Sequence, residues 1–417
     1  MMLYRNIVIL SLLLILFIDG LGLSIVLPLS TELFLNSNSG ILSITTPIIV
    51  QNFVYGANLV LFSGGMFFGA PILGELSDKY GRKNILYLAL LGTLMGYLSS
   101  GIGILVKSPS LFLFGRLIDG LTAGSIPIAQ ACMSDMSSGE KKAGYIGFTL
   151  FAVTAGYIFG PLIAKFIVID TALFGNGLAL PFFFTATLTL FCIILLTYLN
   201  DTSTPDLHKK IHILKSLNTI SLINRFGNLK LILLAFFFFQ LGWTLYFQYL
   251  PVYLKMCLLD NEISYVLAIV GFGMSIAFCF LVSLVQKYID ITQGIFISCL
   301  IISLNIIIQY FLYHNIKILY FTSFLGATGY GIGYSFLLAS LCLNTEKSLQ
   351  GLIMGLAASM SALASSITAL LGSVIINYSS NIVIWLSAIF LIFCGLCIIL
   401  RGYFGKKSKV TSLKANY

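Results

Sequence analysis

Asp19 sits deep in an apolar run, within Phe17-Ile18-Asp19-Gly20-Leu21-Gly22, with Pro28 further along. Arg116 and Asp119 sit in another, Gly115-Arg116-Leu117-Ile118-Asp119-Gly120-Leu121-Thr122-Ala123-Gly124. Charges so placed are costly in lipid unless they face a wet cavity or a partner, and they mark ion or substrate paths by default. Arg116 and Asp119 are three residues apart, so on a helix they share a face and can partly neutralise each other. Burial disfavours a carboxylate and a nearby cation favours it, so an acid whose surroundings alternate can take up a proton on one side and release it on the other. Asp19 is therefore the expected proton carrier, tuned by Arg116, with Asp119 part of the same coupling group. Gly20 and Gly22 are expected to leave space around it. The plain alternative is that Asp19 only hydrogen-bonds nearby backbone and that Arg116 and Asp119 form a structural pair.

Other residues carry weaker signals. Gly74-Glu75-Leu76-Ser77-Asp78-Lys79-Tyr80-Gly81-Arg82-Lys83 reads as a polar loop, with Asp78 and Arg82 spaced to pair and Asp78 able to cap a helix. Gly156 and Gly160, four apart and followed by Pro161, would let a second helix pack closely. Lys165 follows nearby; it either snorkels to an interface or binds an anionic substrate. Cys394 and Cys397 form C-x-x-C in an apolar run with no second pair, which reads as packing. His208 and His212 are spaced to share a helical face, but a zinc site needs more ligands than these two, and no cysteine is near. No metal is expected. No G-x-x-x-x-G-K-[ST] occurs, so energy should come from an ion gradient, with no cofactor.

The elements holding these residues follow from composition. Of 417 residues, 59% are hydrophobic and 9% charged, which places the chain in lipid. Apolar stretches long enough to cross as helices fall at 7–30, 51–73, 84–106, 110–135, 143–168, 178–199, 229–253, 263–286, 292–313, 317–343, 350–376 and 381–400. The net charge of +9 is no nucleic-acid stripe, because the basic residues cluster on alternate loops. Arg5, Lys79, Arg82, Lys83, Lys209, Lys210 and the tail lie on one side, against Lys107, Lys255 and Lys317 on the other. The positive-inside rule then puts both termini in the cytoplasm. The run at 200–228 divides the chain into a bundle at 1–199 and a bundle at 229–400, followed by a basic cytoplasmic tail at 401–417. The halves look duplicated: Pro28 matches Pro251, Gly120 and Gly124 match Gly329 and Gly333, and Lys79-Tyr80 matches Lys287-Tyr288. Two bundles that rock about a central site are what a secondary transporter needs.

The Gly74–Lys83 decamer has the form G-x-L-x-D-[RK]-x-G-R-[RK] and resembles the signature of the major facilitator superfamily between its second and third helices. Helix count, central loop and half-repeat extend that resemblance over the whole chain. It implies an all-α membrane protein of twelve helices, in two six-helix bundles related by a pseudo-two-fold axis. It also implies a cytoplasmic gate in which Gly74, Asp78, Gly81 and Arg82 work with an acid of the fourth helix, here Asp135. Gly115–Gly124 resembles the superfamily's arginine motif, implicated in proton coupling. Asp19 with its glycines resembles the first helix of the drug:proton antiporters, and Gly156–Pro161 their export motif, although Ala164-Lys165 stands where a glycine pair usually follows.

The expected function is proton-coupled antiport that exports a small amphipathic compound such as a drug, metabolite or siderophore. The alternative is proton-coupled import of a nutrient such as an amino acid or organic acid. The second half has no acid inside an expected span, so Gln240, Trp243 and Gln248, with Lys165, are the expected substrate-facing residues. A receptor lacks any sensory or effector domain here, and an enzyme lacks a catalytic constellation within the spans. A monomer in a bacterial inner membrane is expected, with protons, a small molecule and the bilayer as partners.

Overall fold

The computed structural model describes residues 2–36, 40–136, 141–168, 177–198, 229–345 and 350–414. Among these, twelve helices are long and apolar enough to cross a membrane. They are α1 (Val8–Leu35), α2 (Ile48–Tyr80), α3 (Arg82–Leu105), α4 (Pro109–Met133), α5 (Phe148–Ile167), α6 (Gly177–Leu196), α7 (Lys230–Met256), α8 (Asp260–Val285), α9 (Ile291–Leu312), α10 (Ile316–Leu343), α11 (Ile353–Ile375) and α12 (Ser380–Arg401). Each expected span corresponds to one of them. The central run at 200–228, with His208 and His212, lies outside the described residues. Below, the face where α2 turns into α3 is called the hinge face. The face where α1 ends and α2 begins is called the rim face.

Three local features depart from the hydropathy reading. First, α2 continues to Tyr80, so Gly74–Tyr80 is helix and Gly81 alone joins it to α3. Hydropathy marks where a chain leaves lipid, whereas a helix ends where the backbone breaks. Gly81 has φ 92°, a conformation that L side chains avoid. Asp78 therefore lies in the last turn of α2, and the α3 N-terminus has no side-chain cap. Second, α4 is interrupted. It starts on Ser108, whose side chain accepts from Leu111 N at 3.3 Å, with Pro109 in the first turn. It stops at Thr122 and restarts at Ser125. Third, the helix of α12 runs on through Lys414, so the expected tail begins as helix.

The packing repeats between halves. In the first, α1 lies against α5 and α6, α2 against α4, and α3 against α4 and α6. In the second, α7 lies against α11 and α12, α8 against α10, and α9 against α10 and α12. The seam is also two-fold, with α2 on α11 and α5 on α8. Lipid supplies no hydrophobic drive between helices, so close packing of small residues carries much of this contact. The helices match between halves, but the glycine register does not. A Cβ on Gly120 would strike Phe62 of α2, whereas one on Gly329 would meet Ile301 and Ile302 of α9. Gly331 is the α10 glycine that faces α8, at Ala277 and Met274.

The seam is tied toward the rim face. Asn52 Nδ2 donates to Asn377 Oδ1 at 2.8 Å, and Tyr55 Oη donates to Gln248 O at 2.6 Å. Lys255 Nζ pairs with Glu32 Oε1 at 2.8 Å, and Lys165 Nζ donates to Asn261 O at 2.5 Å. Deeper in, Ser366 Oγ donates to Ser63 Oγ at 3.0 Å. Gly56 of α2 is packed on Ser373 of α11. About five turns further, on the same helix faces, Gly74 and Gly355 have, among the described residues, no atom within 4 Å of an added Cβ. The two helices thus touch near the rim face and splay apart toward the hinge face.

Candidate functional site

A polar cluster lies inside the first bundle. Arg116 Nη1 bonds Asp119 Oδ2 at 2.7 Å, with side chains only 3% and 5% exposed. A guanidinium so deep needs more than one partner, and Arg116 also lies over the Phe62 ring, 4.5 Å from its centroid. Its Nε still has no hydrogen bond among the described residues. Thr93 of α3 lies against Asp119. Gly96 and Gly115 let α3 and α4 approach so closely that a Cβ on Gly96 would strike Asp119 and Gly115 O.

Asp19 joins this cluster from α1. Its Oδ2 is buried, although the residue as a whole is only half-buried. Asp119 and Ser125 face it from α4. Tyr97 of α3, Tyr157 of α5 and Cys192 of α6 also lie within electrostatic reach. Ser125 is the first residue after the break in α4, and its Oγ is fully buried. Asp19 Oδ2 and Ser125 Oγ are both buried, and Ser125 is the hydroxyl that faces the Asp19 carboxyl. A buried carboxyl with a hydroxyl against it and, among the described residues, no ion-pair partner is the arrangement expected of a group that exchanges a proton.

The glycines around Asp19 serve packing, not open space. A Cβ on Gly20 would strike Val153 O of α5, and one on Gly22 would strike the Tyr97 hydroxyl. Reciprocally, Gly156 lies on Phe17 O and Leu21 N, and Gly160 on Ser24. Ser24 Oγ donates to Gly156 O at 3.0 Å, which fixes α1 on α5. Pro161 follows inside α5.

The second half holds a neutral aromatic stack in which Trp243, Phe239 and Tyr330 are buried, as are Gln240 and Gln248. The residues of this half expected to face substrate are therefore packed inside the bundle in this state. Trp243 stacks on Tyr330 with centroids 4.2 Å apart, and Phe239 stacks on the same ring at 5.5 Å. Tyr334 continues the stack at 5.7 Å from Tyr330. Gln240 donates to Ser361 Oγ at 2.7 Å, and Gln248 donates to Ser365 Oγ at 2.7 Å. These bonds turn both amides toward α11. Tyr157 lies within electrostatic reach of both Asp19 and Tyr334, linking the acid cluster to the stack. Lys165 stands apart from this stack, at the rim face over the Tyr265 ring.

At the hinge face, Asp78 and Arg82 straddle Gly81, and Arg82 buries its Nε and Nη1. Lys83 donates to Thr197 O at the end of α6, at 2.9 Å. The Asp135 side chain lies outside the described residues, so the expected charge relay has its first partners placed and its last not described. The sequence reading did not single out Ser125, Tyr97, Thr93 or Phe62. None carries a charge, and only helix rotation brings them to the cluster. Tyr157 had a signal, because it lies inside the quoted Gly156–Pro161 stretch.

The sequence profile described as Major Facilitator Superfamily matches residues 12–308. The chain is 33% identical over 160 residues to the tetracycline resistance protein, class H, of Pasteurella multocida, covering 37% of this chain and 36% of that protein. It is 29% identical over 136 residues to multidrug resistance protein 2 of Bacillus subtilis (strain 168), covering 32% of each. The matched segments thus span about a third of these curated relatives. Among solved structures, the D-xylose-proton symporter aligns with a TM-score of 0.73 at 12% identity, over 95% of this chain and 97% of that one. The human organic anion transporter MFSD10 (TETRAN) aligns with a TM-score of 0.67 at 16% identity, over 94% and 99%. At such identities the two structures establish the fold and nothing finer.

Proposed function

The chain belongs to the major facilitator superfamily, and from that premise we propose that it is a proton-coupled antiporter exporting a small amphipathic compound by alternating access. The observation that carries the reading is the buried Asp19–Arg116–Asp119 cluster, packed in one bundle while the other packs a neutral aromatic stack. A coupled carrier needs a group whose proton occupancy is felt by the helices that move. Asp19 is such a group. It sits where α1, α4 and α5 meet, and Gly20, Gly156 and Gly160 leave no slack between α1 and α5. Tyr157 would transmit the state of Asp19 to the stack at Tyr330 and Tyr334, where an amphipathic molecule would lie against Trp243. Arg116 would pair with Asp119, leaving Asp19, which has no ion-pair partner among the described residues, as the group that exchanges the proton. The tetracycline and multidrug resistance relatives favour export of a drug-like compound.

With the basic hinge face in the cytoplasm, the rim-face ties close the outside and the splay of α2 from α11 opens the inside. The chain is then in an inward-facing state. Gly81 and Arg82, with Asp78 and Asp135, would form the gate that closes that side, working as a monomer in a bacterial inner membrane and driven by the proton gradient alone.

The test is flux in oriented proteoliposomes, with a pH-sensitive dye reporting protons as tetracycline or an organic cation is added to one side. Counter-directional proton movement that Asp19→Asn abolishes supports the reading. Co-directional movement would make the protein an importer. Solute movement indifferent to pH and to Asp19→Asn would remove proton coupling.

A further inference from the structure

A second site lies away from the cluster, on the outside of the α5–α8 seam. Tyr157 and Ile158 touch α8 so closely that a Cβ on Gly271 would strike their backbone. Toward the rim face from this crossing the helices diverge around an apolar groove of about 490 Å³. Its walls come from both bundles: Ile158 and Leu162 from α5, Ala268 and Phe272 from α8. Tyr265 and Tyr320 line it as well, and Phe272 is half exposed. From Glu262 to Phe272 the helix rises about 15 Å, half of a hydrocarbon core about 30 Å thick. The lining on α8 runs from Tyr265 to Phe272, about 10 Å, so the span from Glu262 to the floor of the groove matches one leaflet.

Its head carries two opposite charges. Lys165 Nζ lies 3.9 Å from the Tyr265 ring centroid and donates one hydrogen to Asn261 O. An ammonium has three donors, so two remain. Glu262 accepts from the Tyr320 hydroxyl. Among the described residues, Lys165 has no carboxylate within ion-pair distance and Glu262 has no cation. An apolar slot with a cation and an anion at its head, neither ion-paired among the described residues, is complementary to a zwitterionic lipid.

We propose that this groove binds one zwitterionic phospholipid of the phosphatidylethanolamine type, its acyl chain between α5 and α8, its phosphate on Lys165 and its ammonium on Glu262. The chain bridges two bundles that must separate on this face during transport, so the lipid stabilises the state in which the rim face is closed. This site is independent of proton coupling and survives if Asp19 proves inert.

Native mass spectrometry of the purified full chain, offered equal amounts of phosphatidylethanolamine, phosphatidylglycerol and phosphatidylcholine, tests it. One phosphatidylethanolamine is expected to be retained in preference to the others. Ala268→Trp, which fills the slot, should remove that preference. Lys165→Gln and Glu262→Gln should each weaken retention up to about fivefold, the strength of a partly exposed ion pair. Leu190→Trp, on the exposed side of α6, should retain the lipid as the wild type does. Thermal melting of each variant separates loss of the site from loss of the fold. Equal retention of all three lipids, retention unchanged in Ala268→Trp, or preference for phosphatidylglycerol that depends on Lys165 alone would each overturn the proposal.

Discussion

Arg116 and Asp119 show how one side chain in lipid dictates the fate of another. Removing one partner of a buried ion pair leaves the other charge uncompensated, which typically costs about 3–5 kcal/mol. Arg116→Ala should therefore lower the melting temperature in detergent sharply, because Asp119 has lost its 2.7 Å partner. The double variant Arg116→Met with Asp119→Leu, of similar volume and no charge, should recover most of that stability while transport stays absent. If the double variant melts as low as Arg116→Ala, the pair serves the fold through packing and not through charge. Ser125 offers a different contrast. Its hydroxyl is buried against the Asp19 carboxyl, so Ser125→Ala should fold normally and alter the pH profile of transport. A profile unchanged from wild type would place Ser125 outside the coupling group.

At the scale of the element, the decisive feature is the one-residue joint between α2 and α3. Gly81 holds φ 92° and ψ 144°, a region essentially reserved for glycine, where a side chain costs on the order of 1–3 kcal/mol. Gly81→Ala should lower thermal stability by about that amount, whereas Gly74→Ala, with open space around its Cβ position, should be close to neutral. Equal melting temperatures for the two variants would show that the joint relaxes without cost. The same comparison separates two uses of glycine within one motif. One is demanded by backbone conformation here. The other, if it is demanded at all, is demanded by a neighbour that arrives when the hinge face closes.

For the molecule as a whole, the two bundles meet through matched pairs of helices, α2 with α11 and α5 with α8. Polar ties at Asn52–Asn377 and Tyr55–Gln248 hold the rim face. The proposed alternating access would require those ties to break. Replacing Asn52 and Asn377 with cysteines and joining them with a short bifunctional thiol reagent should arrest transport, with recovery when the link is reduced. The single-cysteine variants treated alike should keep their activity. Transport that continues across the linked pair would mean that this end of α2 and α11 does not separate.

The number of helices, their places along the chain and the presence of Asp19, Arg116 and Asp119 within them were legible in the residues alone. Hydropathy reports the preference of each position for lipid or water, and that preference needs no neighbours. Gly156 and Gly160 likewise announced a close helix contact, because glycine at that spacing has few other uses in a membrane. Which helix would be met, and at which turn, was decided only by the fold. Gly20 and Gly22 read as space for Asp19 but are filled by Val153 and Tyr97. Gly120 and Gly329 align along the chain and face different partners. The break in α4 that sets Ser125 against Asp19, the stack of Trp243 on Tyr330 and the charged head of the α5–α8 groove have no period in the sequence. They depend on how each helix is rotated about its axis and where it crosses the next, and those quantities are set by mutual packing of surfaces far apart in the chain.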